Sequence, residues 1–111
     1  PGTTPFDIAI TPNGLTAYVT DTTNNSVIPI NITTGTAGTP IPVGVIPSAI
    51  AITSDGSRAY VVNTASNSVS VINLATNTVI DTITTGEGII ANPFTIAINS
   101  FGTRAYVTST D

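Results

Sequence analysis

Only 7% of the 111 residues carry charge, with a net charge of −4 and just two cations, Arg58 and Arg104. Nucleic-acid surfaces need clustered Lys and Arg, so we expect no nucleic-acid partner. The chain has no His and no Cys, which excludes imidazole bases, thiol nucleophiles and thiolate metal sites from this segment. No apolar run approaches the roughly 18 residues of a membrane-spanning helix, so we also expect no membrane insertion.

The chain is built from repeats, because three kinds of residue recur at spacings of 42 and then 46 residues. They are Pro5, Pro47 and Pro93; Gly14, Gly56 and Gly102; and Tyr18, Tyr60 and Tyr106. A period near 40 with about four strands per unit is typical of a β-propeller blade or a solenoid turn. We therefore predict an all-β propeller fragment of about two and a half four-stranded antiparallel blades, part of a larger ring. Blade 1 is predicted at 5–46, blade 2 at 47–92 and half of blade 3 at 93–111.

Each repeat opens with Ile-Ala-Ile, which predicts first strands at 6–11, 48–53 and 94–99. A run that is apolar at consecutive positions is typical of a strand buried on both faces, as between two blades. In blade 1 we expect the apolar face of this strand to be uncovered, since no preceding blade lies in this chain. Exposed faces and edges drive association, so we expect the isolated chain to form oligomers or aggregates.

A tight turn follows each first strand. Asn13-Gly14 and Asp55-Gly56 supply the positive φ values of a hairpin, whereas Phe101-Gly102 departs from this pattern. The second strands are predicted at 17–20, 59–62 and 105–108, each with a Tyr-Val pair that suits a strand. We expect these tyrosines, Tyr60 among them, to be buried structural residues whose hydroxyl finds a partner.

The third strands are predicted at 26–31 and 68–73. Pro29 removes a ladder donor from the first of them, so we expect that strand to be irregular there. The fourth strand of blade 2 is predicted at 78–84. Its counterpart at 36–43 contains one Gly and two Pro residues and is a poor strand by composition, which suits an outer edge.

The unit reads Pro-x-x-Ile-Ala-Ile-Thr-x-Asp/Asn-Gly-x-x-Ala-Tyr-Val, then Asn-Ser-Val-x-Val-Ile-Asn and Thr-x-Thr-Val-Ile. This pattern resembles the YVTN-type β-propeller repeat of surface-layer proteins and many secreted bacterial and archaeal proteins. The tetrapeptides at 18–21, 60–63 and 106–109 depart from the motif conservatively. The resemblance covers nearly the whole chain. It implies a propeller, often seven-bladed, and leaves the activity open.

The acidic residues are scattered along the chain and suggest no paired-carboxylate site. Asp55 is explained as a turn residue, and Asp7 and Asp21 would ligate a metal only with partners from other blades. Asp21 shares its repeat position with Asn63 and Ser109, which we interpret as turn-forming, with ligand binding as the alternative. We predict no catalytic, cofactor or metal site in this segment.

The repeats differ in length in the link between blades. The link at 86–93 is four residues longer than its counterpart at 44–47, and we expect this longer link to share a face with the polar links 21–25 and 63–67. Binding residues concentrate in such loops, although the two isoleucines of the insertion could instead pack between blades. The candidate binding residues are Glu87, Ile89, Ile90, Asp21 and Asn63.

Two functions fit these observations. The first is a non-enzymatic structural or interaction propeller, extracellular or at the cell surface, that binds a protein or a glycan through loops or pairs with further blades. The second is part of a lactonase-like propeller enzyme whose catalytic residues lie in blades outside this segment. Two glycosylation sequons, at Asn24 and Asn31, are also present.

Overall fold

The computed structural model describes residues 5–66, 68–84, 93–98 and 105–109, and these residues form eleven β-strands. Blade 1 contains β1 (Pro5–Ile10), β2 (Thr16–Asp21), β3 (Ser26–Asn31), β4 (Thr36–Ala37) and β5 (Ile41–Pro42). Blade 2 contains β6 (Pro47–Ile52), β7 (Arg58–Asn63), β8 (Ser68–Asn73) and β9 (Thr78–Thr84). The last two strands are β10 (Pro93–Ile98) and β11 (Ala105–Ser109).

The strands form three antiparallel sheets in which chain neighbours are sheet neighbours. The orders are β1-β2-β3-β4, with β5 also on β3, then β6-β7-β8-β9, and finally β10-β11. Every pairing is antiparallel, which hairpins permit because they need only short turns. The predicted all-β fragment of about two and a half meander blades is therefore confirmed.

The first turn of each complete blade depends on a glycine with positive φ. Gly14 has φ 74° and donates its N–H to the Thr11 carbonyl at 2.8 Å. Gly56 has φ 75° and makes the same bond to Thr53 at 2.9 Å. These values confirm the predicted positive φ for the two glycines, whereas Asn13 and Asp55 before them do not have positive φ. The third turn, with Phe101, lies outside the described residues.

The expected irregularity at Pro29 lies in a different strand from the one we predicted. β3 pairs with β2 without interruption, and Pro29 stands opposite Tyr18. The Pro29 carbonyl accepts from the Gly38 N–H at 2.7 Å, on the side of the outer strand. Because the N and the C=O of an extended residue lie on the same side, the missing donor also faces outward. The outer strand is therefore the one that breaks, into β4 and β5, as the composition of 36–43 indicated.

Apolar side chains fill the space between blades 1 and 2. They are Tyr18, Val27, Ile41, Ile50, Ala59, Val61 and Ile72. A second buried cluster of Ala49, Val62 and Val69 lies on the other face of blade 2, and β10 packs beside β6 and β7. The inner strands of blade 2 are thus covered on both faces, as predicted.

One face of the inner strand of blade 1, the face turned away from blade 2, is uncovered, which was also predicted. Phe6, Ile8 and Ile10 are 57%, 56% and 55% exposed. The tyrosines differ as well, because Tyr18 is buried whereas Tyr60 is only partly buried. The prediction of a fully buried tyrosine is therefore right for Tyr18 and wrong for Tyr60.

Candidate loop interface

Asp21 closes β2 and shapes the link that follows it. Its side chain is 1% exposed. Oδ1 accepts from the backbone N–H groups of Thr23 at 3.0 Å and Asn24 at 3.3 Å, and Oδ2 accepts from Asn24 Nδ2 at 2.7 Å. A carboxylate that accepts from amides two and three residues on forms an Asx turn. The turn-forming interpretation of Asp21 agrees with this geometry.

Asn63, at the same repeat position in blade 2, is fully buried. Its Nδ2 donates to Ser68 Oγ at 3.1 Å and to Ser70 Oγ at 2.9 Å, whereas its Oδ1 has no partner among the described residues. Gly44 covers this amide so closely that a Cβ there would lie 2.6 Å from Asn63 Cγ and from Ser66 Oγ. The link between the blades therefore needs glycine at this point.

The link between the blades is bonded to the polar link of blade 1. The Val43 N–H donates to the Asn25 carbonyl at 3.0 Å, and the Ile46 N–H donates to Asn25 Oδ1 at 2.9 Å. Asn25 and Ile46 both have positive φ, 53° and 54°, which is uncommon outside glycine. The side chain of Asn25 thus anchors the link in a specific backbone conformation.

The same link is bonded to the polar link of blade 2. The Ile46 carbonyl accepts from Thr64 N–H at 3.0 Å, and the Val45 carbonyl accepts from Ala65 N–H at 3.1 Å. The Val45 N–H donates to Ser66 Oγ at 3.1 Å. The structure thus joins residues 21–25, 43–46 and 63–66 into one surface, which we call the loop face. The prediction that the longer link shares this face concerns residues 86–92, which lie outside the described residues.

Val45 and Ile46 are the apolar residues that this surface presents, with exposures of 45% and 44%. Sequence reasoning looked for such a contact only in the longer link and missed them. The signal was present, since Val45 and Ile46 stand between Gly44 and Pro47 as Ile89 and Ile90 stand before Pro93. Asp21 and Asn63 are the buried residues of the loop face, and they support its exposed part.

The candidates Glu87, Ile89 and Ile90 lie outside the described residues.

Four acidic residues lie in the described part of the chain, and each carboxylate accepts a backbone N–H. Asp7 accepts from Ile8 at 2.9 Å through Oδ1 and from Ile50, in the next blade, at 3.1 Å through Oδ2. Asp81 accepts from the N–H of its neighbour Thr82 at 2.8 Å. With Asp21 and Asp55, these carboxylates stabilise turns, strands and the contact between blades.

Hydrogen bonds to the side chain of Asp55 change its titration. The Thr53 hydroxyl, the Ser57 N–H and the Ser57 hydroxyl all donate to it and lower its pKa to about 2. These donors favour the charged form. Across residues 5–66, 68–84, 93–98 and 105–109, no three side chains of the His, Cys, Asp or Glu type form a group that could hold a metal.

A groove of about 570 Å³ lies at the other end of the blades from the loop face. It runs between the broken outer strand of blade 1 and the Thr76-Asn77 turn of blade 2. Its lining contains no charged residue. Within the part of the chain that the structure describes, no helix has the length and apolar character for crossing a membrane.

Tyr18 connects the two blades at this same end. Its hydroxyl donates to Oδ1 of Asn77 at 2.8 Å. Burial raises the pKa of the Tyr18 hydroxyl, and the bond to Asn77 partly offsets that rise. Asn77 has φ 54°, and its counterpart in blade 1 is Gly35 with φ 73°. Asn77 therefore supplies both a left-handed turn residue and an acceptor for a buried hydroxyl.

Several solved structures are similar to this chain, and in each of them the match covers part of a longer chain. A part of hydrazine synthase from Kuenenia stuttgartiensis matches with a TM-score of 0.88 and 33% identity, over 98% of this chain and 29% of that chain. A putative 6-phosphogluconolactonase from Bacteroides uniformis matches with a TM-score of 0.82 and 16% identity, over 96% of this chain and 34% of that one. The WD40 repeats of RRP9 match with a TM-score of 0.82 and 16% identity, over 95% and 32%.

This chain spans between 29% and 34% of the length of these solved chains. No family model matches it, and no curated protein matches it in sequence. Neighbours at 16% identity show the fold alone, and that fold is the propeller.

Proposed function

We propose that this chain is a section of a non-enzymatic interaction propeller that binds a protein or glycan partner through the loop face. The observation that supports the proposal is that hydrogen bonds join residues 21–25, 43–46 and 63–66 into one surface. This surface exposes Val45 and Ile46. Loops held in place before binding lose less conformational freedom when a partner arrives.

The chemistry of the loop face suits recognition better than catalysis. Val45 and Ile46 form a small apolar centre, and the rim around them consists of Asn, Thr and Ser groups. An apolar centre with a polar rim is the usual anatomy of a protein interface. The carboxylates of Asp7, Asp21, Asp55 and Asp81 already accept backbone amides, which makes them structural groups.

The proposal includes an extracellular or cell-surface location and membership of the YVTN-type repeat family. The repeat pattern and the surface rich in Thr, Ser and Asn but poor in charge support both. It also includes further blades as partners. The exposed Phe6, Ile8 and Ile10 of β1 support this part, because the corresponding strand of blade 2 is covered by its neighbours.

A second candidate function is a propeller enzyme with catalytic residues in other blades. Two similar structures favour it, since one is named a hydrazine synthase and the other a putative 6-phosphogluconolactonase. In that case the acids described above remain structural. Substitutions of catalytic residues outside this segment would then abolish the activity.

The test compares binding by the parent protein and two matched variants on arrays of defined glycans and of purified extracellular proteins. Val45→Ser combined with Ile46→Asn makes the loop face polar, and Asn tolerates the positive φ at position 46. Leu15→Ser is the control, because Leu15 is 54% exposed but lies in the turn at the other end of blade 1. We expect the double variant to bind at least about tenfold more weakly than the control, since removing a central anchor costs about 1.4 kcal/mol or more.

Equal binding by the double variant and the control contradicts the role of the loop face. Absence of binding on both arrays, together with lactone hydrolysis by the parent protein, favours the enzyme instead. A third variant replaces residues 87–92 with Val-Ile to shorten the long link to the length of the short one. If binding survives that change, Glu87, Ile89 and Ile90 are not required.

A further inference from the structure

The chain contains two N-glycosylation sequons, Asn24-Asn25-Ser26 and Asn31-Ile32-Thr33, and the structure distinguishes them sharply. Transfer of an N-linked glycan requires access to the amide nitrogen of the Asn. It also requires access to the hydroxyl two residues later, which the transferase reads. The structure shows the surroundings of the Asn side chain and of the hydroxyl residue in each sequon.

In the first sequon Asn24 is exposed, but its amide nitrogen is held in a hydrogen bond and the serine hydroxyl is buried. Nδ2 of Asn24 donates to Oδ2 of Asp21 at 2.7 Å, and Asp21 also accepts the backbone N–H of Asn24. Ser26 is only 4% exposed and starts β3, where it pairs with Asp21. The middle residue, Asn25, holds the link between the blades. Opening this sequon for an enzyme breaks the loop face.

The second sequon presents both groups. Asn31 and Thr33 are exposed. Oδ1 of Asn31 accepts from the Thr34 N–H at 3.1 Å, which fixes the amide oxygen. Nδ2 of Asn31 and the hydroxyl of Thr33 have no hydrogen-bond partner among the described residues. The turn itself is closed by the backbone bond from Gly35 N–H to the Asn31 carbonyl at 2.7 Å, so a glycan need not disturb it.

The two sequons also lie at opposite ends of blade 1. Asn24 belongs to the loop face. Asn31 ends β3 beside the first turn, where the Ile32 N–H donates to the Leu15 carbonyl at 3.0 Å. A glycan on Asn31 therefore extends from the end that does not carry Val45 and Ile46, and it leaves the loop face open.

We propose that Asn31 is an acceptor for an N-linked glycan in the folded protein and that Asn24 is not, an inference that rests on the proposed extracellular location. In this step Nδ2 of Asn31 attacks C1 of the first sugar of an oligosaccharide carried on a lipid pyrophosphate. The new C–N bond replaces the bond from C1 to the pyrophosphate oxygen, the lipid pyrophosphate leaves, and an Nδ2 proton passes to a base of the transferase.

The experiment incubates the folded parent protein with an oligosaccharyltransferase and a lipid pyrophosphate oligosaccharide, and maps modified peptides by mass spectrometry. The peptide that contains Asn31 is expected to gain the mass of one glycan in the wild type and in Asn24→Gln, and to gain none in Asn31→Gln. Thr33→Ala should lose the modification and Ser26→Ala should keep it. Two synthetic peptides, covering 20–28 and 27–35, are the controls for sequence alone, and both should be modified.

Modification of Asn24 in the folded chain overturns the proposal. So does an unmodified Asn31 in the folded chain, whether or not its peptide is modified. The readout does not depend on partner binding, so it can fail while the loop face is confirmed, and it can succeed when no partner is found. Binding of the glycosylated chain on the arrays should equal that of Asn31→Gln.

Discussion

The innermost strands β1 and β6 have the same Ile-Ala-Ile core but opposite surroundings. Ile8 in β1 is 56% exposed, whereas its counterpart Ile50 in β6 is 6% exposed. The difference comes from the neighbours, because β6 has blade 1 on one side and β10 on the other, whereas β1 is covered only on the side of blade 2. In this fold the burial of a strand is decided by the adjacent blade as much as by its own residues.

The tyrosines of the second strands show the same effect. Tyr18 is buried and bonds to Asn77 of the following blade. Tyr60 holds the equivalent position in blade 2 and is only partly buried. One residue type at one repeat position thus has two environments, which substitutions can measure separately.

The largest expected difference in the free energy of unfolding is between Ile50→Ala and Ile8→Ala. Removing the buried Ile50 side chain should lower the free energy of unfolding by about 2 to 5 kcal/mol. In this chain without further blades, the same change at exposed Ile8 should cost about 0.5 kcal/mol or less. Urea unfolding of both variants checks the prediction. Similar losses at the two positions would show that β1 is covered in solution, for example by a second copy.

Gly44→Ala sharpens the comparison at the links. The added Cβ meets Asn63 and Ser66 at 2.6 Å, so the link or the buried amide must move. We expect a loss of about 1 to 3 kcal/mol, the usual cost of overpacking. Gly38→Ala is a milder control, since its nearest contact is 3.2 Å from Pro29. Thermal unfolding of the two variants should rank them in that order, and the reverse order would refute the close approach.

The bond between Tyr18 and Asn77 should contribute about 0.5 to 1.5 kcal/mol. Tyr18→Phe removes the donor, and Asn77→Gly removes the acceptor while keeping a residue that suits φ 54°. The double variant should cost less than the two single changes added together, because both delete one interaction. Tyr60→Phe is the control and should have almost no effect. Strict additivity at Tyr18 and Asn77 would show that the bond is not formed.

The smallest effect concerns Asp55 and its neutral counterpart Asn13. The pKa of Asp55 is lowered from 3.8 to about 2 in the folded chain, so folding favours the carboxylate. This contribution is present above pH 3.8 and is lost as the pH falls toward 2. Wild type and Asp55→Asn should therefore differ in melting temperature at pH 6 and converge under acid. Asn13→Asp should gain the same pH dependence, and a constant difference at all pH values contradicts the assignment.

Much of the fold was predictable because short sequence patterns, most of them repeated along the chain, specify its strands and turns. Ile-Ala-Ile marks an inner strand, Asx-Gly marks a tight turn, and Gly38 with the two prolines nearby marks a poor outer strand. Each of these signals acts within one hairpin. The predictions made from these signals are therefore correct even though the packing of the blades was not known.

The rest depends on contacts between blades, which one repeat does not contain. Pro29 was expected to disturb β3, but its missing donor faces the outer strand, a fact that the sequence does not reveal. The roles of Asn25 and Gly44 likewise depend on hydrogen bonds and close contacts more than 15 residues away along the chain. The exposed pair Val45 and Ile46 was not predicted as a contact, because the candidates were sought in the longer link, which contains Ile89 and Ile90.

The carboxylate of Asp7 makes the two blades unequal as modules. It accepts hydrogen bonds from the backbone N–H of Ile8 in its own strand and from that of Ile50 in the inner strand of blade 2. The carboxylate therefore joins equivalent amides of consecutive blades. The residues at its repeat position in the next two units are Ala49 and Thr95, which carry no carboxylate. A ring made only of blade 2 units would lack this joint at every step, and a ring made only of blade 1 units would have it at every step. Duplication or shuffling of such repeats, in evolution or in design, therefore changes how blades are joined even when each blade keeps its fold.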